Sequence, residues 1–404
     1  VVVASVLIRS LSVSDIIMER VEQYLSRKKK AAKGEEADLY QKLEQFYSKK
    51  LWFELANEVK KIVYGPPPDL DLKEFYDSFI SDFEHRINLL QLAEIIIPIA
   101  NYIFTKDREA AFAFLDKMGR TVKKDVQAKI RVDVGQIKLR LDNKDKNERC
   151  IDIDTVRGLI ETTRKEIDDK VHGVQSVHVA FYKVSSVYFK EIGDYASYYR
   201  EALRYLGVED LTTLTTEEKH VHAVLLGFAA LLGENIYNLG ELLAHPILNV
   251  LENTAEVWIK HVLDAFNEGN INKFNTYEKE WSEWDDLKRR KSALMNKMRL
   301  LALMELALQR TSKNRQLSFS EVAKACQVEP DKVEHLVMRA LSKKLIRGSI
   351  DQVNGEVLIS WVQPRVLNED QLRGVARRIE EWTKDVSGME DLVAANARDI
   401  LTKA

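Results

Sequence analysis

The sequence predicts a mainly α-helical chain with one small β-hairpin near its C-terminal end. Three observations support this. Apolar residues recur at helical spacing from about Asp38 to about Arg310, with few breakers: the whole chain holds 16 Gly and 7 Pro in 404 residues. An Asn354-Gly355 pair then separates two β-rich runs, a strong hairpin signal. Beyond it, apolar residues alternate spacings of three and four through the final segment. The reading divides the chain into an irregular start (residues 1–37), a helical-repeat arm (38–205), a further helical part (206–310), a helix-plus-hairpin module (311–365) and a terminal helix (366–404).

At the start, Val1 to Arg9 is apolar and has no initiator Met. Its basic residues follow the apolar part and no small-residue cleavage site is clear, so it does not read as a signal peptide. Arg27-Lys28-Lys29-Lys30 reads as a solvated helix end. In the arm, Leu39, Leu43, Phe46 and Tyr47 form one stripe, continued by Leu51, Leu55, Val59 and Ile62. Gly65-Pro66-Pro67-Pro68 stops it, because Pro fixes φ and lacks an N–H. Phe75, Phe79, Ile80 and Phe83 open the next stripe. Leu89 to Phe104 is the most apolar run. It is short for a membrane span and contains Gln91, Glu94, Pro98 and Asn101, so a buried helix is expected.

A faint repeat runs through this region. Lys106-Asp107, Gly193-Asp194 and Gly269-Asn270 each read as a tight turn entering a helix with an early aromatic residue. Their spacing suggests helical hairpins of the tetratricopeptide (TPR-like) type, which stack because a two-helix unit cannot bury its apolar face alone. The alternative is an irregular all-α fold. Asp142 to Arg149 has no apolar residue and reads as a solvated loop.

After Arg310 the pattern changes. Ser318 caps a short helix with Glu321 at the capping-box position, and Val322, Ala323 and Ala325 face inward. Pro330 opens a second helix whose apolar face is Val333, Leu336, Val337, Ala340 and Leu341. The run from Leu345 to Ile350, the Asn354-Gly355 turn and the run from Val357 to Trp361 complete helix, turn, helix, hairpin, the order of a winged helix. In the last segment, Leu372, Val375, Ile379, Trp382, Val386, Met389 and Val393 form a heptad seam that calls for partner helices, from other chains or from its own.

Composition narrows the function classes. A 45% hydrophobic and 31% charged chain can bury a large core and does not read as disordered. The net charge of -2 lacks the basic excess of most phosphate-tracking proteins. Cys150 and Cys326 suggest neither a disulfide framework nor a zinc site and fit a reducing compartment. No Gly is followed by Lys, so no P-loop exists, and G-x-S-x-G and H-E-x-x-H are both absent. His220-Val221-His222 has the spacing of a zinc pair, but no downstream carboxylate ligand follows and the segment reads as a buried helix. His245-Pro246 reads as a helix boundary. The second helix of the winged module begins with Glu329, Asp331 and Glu334, and the wing carries Asp351 and Glu356. Carboxylates there oppose DNA reading and favour protein packing. No catalytic residue, metal ligand or cofactor is assigned.

Particular strings resemble a known family. Glu334 to Ala340, Gly348 to Val353 and Ser360 to Arg365 closely resemble the PCI module of the 26S proteasome non-ATPase regulatory subunit 13 family, which are lid subunits. Leu51-Trp52, Ser197-Tyr198-Tyr199, Leu231 to Glu234, Tyr237 to Leu243 and His245-Pro246 are similar to the same family. The likeness runs from about Asp38 to the C-terminus and leaves out the start. It implies a TPR-like helical-repeat solenoid, a PCI module made of helices and a winged helix, and a terminal helix in a multi-subunit bundle. It also implies a non-catalytic scaffold of the regulatory-particle lid, in cytoplasm and nucleus, supporting degradation of ubiquitin-tagged proteins. Partners would be other lid PCI subunits, with base ATPases and deubiquitinases reached indirectly, and neither nucleic acid nor membrane. The expected contact surfaces are the wing (Ile346, Ser349, Ile350, Asp351, Gln352, Val357, Ile359, Trp361) and the seam from Leu372 to Val393. The rivals are a PCI subunit of the signalosome or of translation initiation factor three, a winged-helix transcription factor, and a hidden hydrolase.

Overall fold

Long stretches without Gly or Pro leave little to interrupt helices, and helix follows helix through most of the chain. The computed structural model describes residues 21–29, 35–67, 70–144, 150–310, 315–366 and 369–401. The expected features of Val1 to Arg9 lie outside these residues. The chain forms two compact units: residues 1–193 with 204–209, and residues 194–203 with 210–404.

The first unit stacks antiparallel helices. Trp52–Tyr64 ends at Gly65, directly before the proline run. Phe75, Phe79 and Phe83, spaced four apart, are fully buried, and Tyr47 and Trp52 join the same aromatic cluster. A π-helical turn, Tyr76–Ile80, interrupts the helix there. Leu89–Lys106 is the one described helix apolar and long enough to cross a membrane by composition. Here it packs against Trp52–Tyr64, Arg108–Thr121 and Val126–Asp142, burying Leu92, Ile95, Ile96, Ile99 and Ile103. A second cluster, around Ile137, Ile160 and Phe181, joins Val126–Asp142, Ile153–Lys170 and Ser176–Ile192.

Two expectations about the start are corrected. Residues 21–29, assigned to an irregular segment, are helical, and Val21, Tyr24 and Leu25 are buried in the first core. The basic cluster does not simply face solvent. Arg27 and Lys28 pair with Glu74 at 2.5 and 3.2 Å, and Lys29 pairs with Glu44 at 3.1 Å. Lys30 lies outside the described residues, as do residues 145–149 of the expected loop after Asp142.

The three repeat turns are capped helix starts. Asp107 accepts the Glu109 and Ala110 N–H groups, Asp194 those of Ala196 and Ser197, and Asn270 that of Lys273. Each such cap stabilises its helix by roughly 1 kcal/mol. Gly193 and Gly269 precede two of them with φ of 80° and 65°, a left-handed conformation that glycine adopts without strain.

In the second unit, Thr215 and Glu218 form a capping box on Thr216–Leu232. His245 accepts the Ile247 N–H and Pro246 opens a short helix, so this pair is a boundary. Phe266 meets Phe274 edge-to-face, and Phe274 stacks on the buried Trp281, in helices that pack near Lys291–Gln309. The winged module follows. Strand β1 (Gln316–Ser318) leads into Phe319–Cys326, and Gln327 turns the chain at φ 50° into Pro330–Ser342. Strands β2 (Ile346–Asp351) and β3 (Glu356–Val362) form the hairpin. The sheet is antiparallel in the order β1-β3-β2, with Ile350 opposite Val357 and an irregularity between Arg347 and Gly348. Val322, Cys326, Val333, Val337 and Ala340 are buried, whereas Ala323, Ala325 and Leu341 are half-buried.

Candidate assembly surfaces

The wing's two faces follow from strand alternation. Ile346, Val357 and Ile359 point into the module and are at most 2% exposed. They are core residues, which corrects their expected place on a contact surface: the period-2 pattern groups residues by face without saying which face packs inward. Ser349, Asp351 and Gln352 are exposed, and Ile350 and Trp361 are half-buried. The outward face also presents Leu358, which the sequence reading passed over. Arg347 lies over the Trp361 ring at 4.8 Å, so that ring is already partly covered. Asp351 has an internal task. Its carboxylate accepts the Val353 and Asn354 N–H groups and the Asn354 amide, which fixes the wing tip and holds its pKa below the usual carboxylate range. Gly355 closes the turn at φ 64°. The sheet order leaves one edge of β2 facing away from β3.

The terminal helix, Glu369–Leu401, is 33 residues and about 50 Å long. All seven seam residues are exposed: Ile379 is 56% and Trp382 68% exposed. Leu392 extends the same stripe. The helix therefore presents a narrow row of large apolar side chains that nothing among the described residues covers.

The chain leading to it is anchored at residues 363–366. After β3, the Gln363 N–H donates to the Leu345 carbonyl at 2.8 Å. Arg365, almost fully buried, pairs with Glu305 and donates to the Asn267 carbonyl at 3.0 Å. Burial lowers the Arg365 pKa. The Val366 N–H donates to the Asn238 amide oxygen at 3.2 Å. Val366 also lies on Gly240, where an added Cβ would stand 2.6 Å from the Val366 Cβ. Tyr237 to Leu243, a string that carried the sequence resemblance, thus meets the chain at Val366, one residue past the Ser360 to Arg365 string.

The rejected zinc pair sits on Thr216–Leu232. His220 Nε2 lies 3.2 Å from a Glu256 carboxylate oxygen. Among the described residues no group of three or more His, Cys, Asp or Glu could hold a metal ion. On the second helix of the winged module, Glu329 pairs with Lys332 at 2.7 Å, which places a local ion pair at the end that would meet a phosphate backbone.

A model of PSD13 N-terminal repeats matches residues 39–263, and a PCI domain model matches residues 274–361. The chain belongs to the 26S proteasome non-ATPase regulatory subunit 13 family. It is 32% identical over 390 residues to "26S proteasome non-ATPase regulatory subunit 13 homolog B" of Arabidopsis thaliana, covering 94% of this chain and 98% of that protein. It is 33% identical over 371 residues to "26S proteasome regulatory subunit RPN9" of Saccharomyces cerevisiae, covering 90% and 93%. Similarity to "Eukaryotic translation initiation factor 3 subunit M" of Phaeosphaeria nodorum is 25% over 206 residues, 51% of this chain and 46% of that protein. Likeness to the subunit 13 family is therefore end to end, and likeness to the initiation factor is confined to about half the chain. Within the subunit 13 family architecture, the winged module is the distal part of the PCI match, and the terminal helix lies beyond it.

Proposed function

We propose that this chain is a non-catalytic scaffold subunit of the lid of the 26S proteasome regulatory particle, supporting its assembly and hence degradation of ubiquitinated proteins. One observation supports this most: the exposed apolar seam from Leu372 to Val393 on a helix that follows the buried Arg365–Glu305 ion pair. A 33-residue helix with one bare apolar stripe gains little alone, and gains burial of that stripe on entering a bundle of helices. The wing adds a second contact through Ser349, Gln352, Leu358 and the free edge of β2, where a neighbouring PCI subunit can extend the sheet. Lid PCI subunits would be its direct partners, with base ATPases and deubiquitinases reached through them, in cytoplasm and nucleus. The chain acts by holding neighbours in place and supplies no reacting group.

The test is affinity purification of the tagged chain from its own cells, followed by mass spectrometry. Lid and ATPase subunits in near-equal amounts are expected. Recovery of initiation-factor or signalosome subunits instead would keep the architecture and overturn the assignment. Recovery of chromatin would overturn both surfaces as protein contacts.

A further inference from the structure

Lys297 projects from the middle of Lys291–Gln309 into a cavity of about 480 Å³ in the second unit. It is more than nine-tenths buried. Its ammonium donates to the carbonyls of Ala230, Leu231 and Gly233 at 2.6, 3.3 and 3.0 Å. These are the last carbonyls of Thr216–Leu232 and the turn after it, where the helix leaves unpaired acceptors and a partial negative charge. Carbonyl oxygens satisfy the hydrogens of the ammonium but carry no full charge, so its positive charge is not neutralised.

The same cavity collects more positive charge. Lys343 Nζ lies 5.8 Å from the centre of the Tyr237 ring, and Lys297 Nζ lies 6.0 Å from it. Lys343 donates to the Asn235 amide oxygen at 2.8 Å, another neutral partner. Arg290 and Arg339 line the wall. Among the described residues neither makes a salt bridge; Arg290 lies over the Tyr195 ring. The one carboxylate in the lining is Glu234. Three exposed cations and the buried Lys297 amine therefore share a partly enclosed space with a single exposed acid. Burial, with a smaller contribution from the charge of Lys343, presses the Lys297 pKa down to about 7.

We infer that this cavity is an anion-binding site, taking a phosphate or carboxylate group against Lys343 and Arg339, with the buried Lys297 amine behind them gaining its proton as the anion enters. Three features define the site. Its back is buried at Lys297 while Arg339 and Lys343 stand exposed at its mouth, where an anion can reach them. Arg339 offers a planar fork suited to two oxygens of one group, and Lys343 a point charge beside it. The winged module contributes Arg339 and Lys343 while the preceding helices contribute Lys297 and Arg290, so a bound anion ties the two parts together.

The test uses the full chain and two probes, inorganic phosphate and a short polyglutamate peptide, each titrated by thermal melting against chloride at matched ionic strength. Saturable stabilisation is expected. It should require about tenfold or more higher concentration in Arg339→Met and in Lys343→Met, the loss of one charged hydrogen bond. Arg339 is exposed and has no salt-bridge partner among the described residues, so that variant should fold even if Lys343→Met loosens the Asn235 turn. Glu234→Gln should shift the midpoint the other way. Stronger response to the peptide identifies an acidic side chain of a partner as the occupant, and stronger response to phosphate a free oxyanion. A response no greater than with chloride, or one unchanged in both variants, overturns the inference.

Discussion

Replacing Ile379 and Trp382 together with Asp strips two large apolar groups from the terminal seam. In the free chain both are more than half exposed, so little packing is lost. Surface changes of this kind usually stay within about 0.5 kcal/mol, and Asp, Ile and Trp differ little in helix propensity. The melting temperature should therefore move by no more than about 2 °C. In a bundle the balance differs. Burying an Ile or Trp side chain stabilises by roughly 1.5–3 kcal/mol, so losing both costs about 3–6 kcal/mol before any penalty for burying carboxylates. At 1.4 kcal/mol per tenfold, that weakens association by about 100-fold to 10,000-fold. The assay is reconstitution of the lid with wild-type and variant chains, resolved on native gels, alongside melts of each free chain. Full incorporation of the variant would refute the bundle role. Loss of incorporation accompanied by a large drop in the free-chain melting temperature would show instead that the seam packs on its own chain.

Leu358→Lys, on the outward face of the wing, should leave the melting temperature unchanged and weaken incorporation in the same native-gel assay. Arg365→Met should destabilise the chain by about 3–5 kcal/mol in urea unfolding, because the Glu305 carboxylate loses its guanidinium in a buried setting; adding Glu305→Leu should recover much of the loss. Gly240→Ala should cost about 1–3 kcal/mol by the same measure, since its methyl would collide with Val366. Asp133→Asn should stabilise by about 3 kcal/mol above pH 7 and not at pH 3.5. Burial raises the Asp133 pKa from 3.8 to about 6 despite nearby Lys129. Below 3.8 both states are protonated and nothing is lost; stability then falls as pH rises and levels off above about 6, where the folded chain is ionised and carries the full penalty. Urea unfolding across that range checks the sign.

What could be read from the sequence was what local pattern determines. Phe75, Phe79 and Phe83 announce a buried face by spacing alone, and all three are buried. Ser318 with Glu321, and Asn354 with Gly355, announce a cap and a turn because each satisfies specific backbone groups within a few residues. Strand β1 escaped notice because three residues contain too few positions to show alternation. The inward placement of Ile346, Val357 and Ile359 escaped because alternation divides a strand into two faces without ranking them. Lys297 and Arg365 could not be found this way. Their partners lie 64 to 67 and 60 to 98 positions away in the chain, and no local periodicity encodes such a pairing.

The anchored strap and the bare seam make most sense as one device. A helix of about 50 Å joined by a slack linker would sample many directions, and ordering it on assembly would cost conformational entropy. The Gln363, Arg365 and Val366 contacts anchor the chain shortly before the helix, whether or not a partner is present. Arg378 extends that control into the helix itself by reaching the Leu308 carbonyl at 3.5 Å. The polar cost of burying Arg365 and Glu305 is therefore met within the chain, away from the seam. The seam is left free to contribute its apolar area to association. This arrangement explains why an ion pair, which an apolar pair could replace without loss of stability, stands at the one point where direction matters.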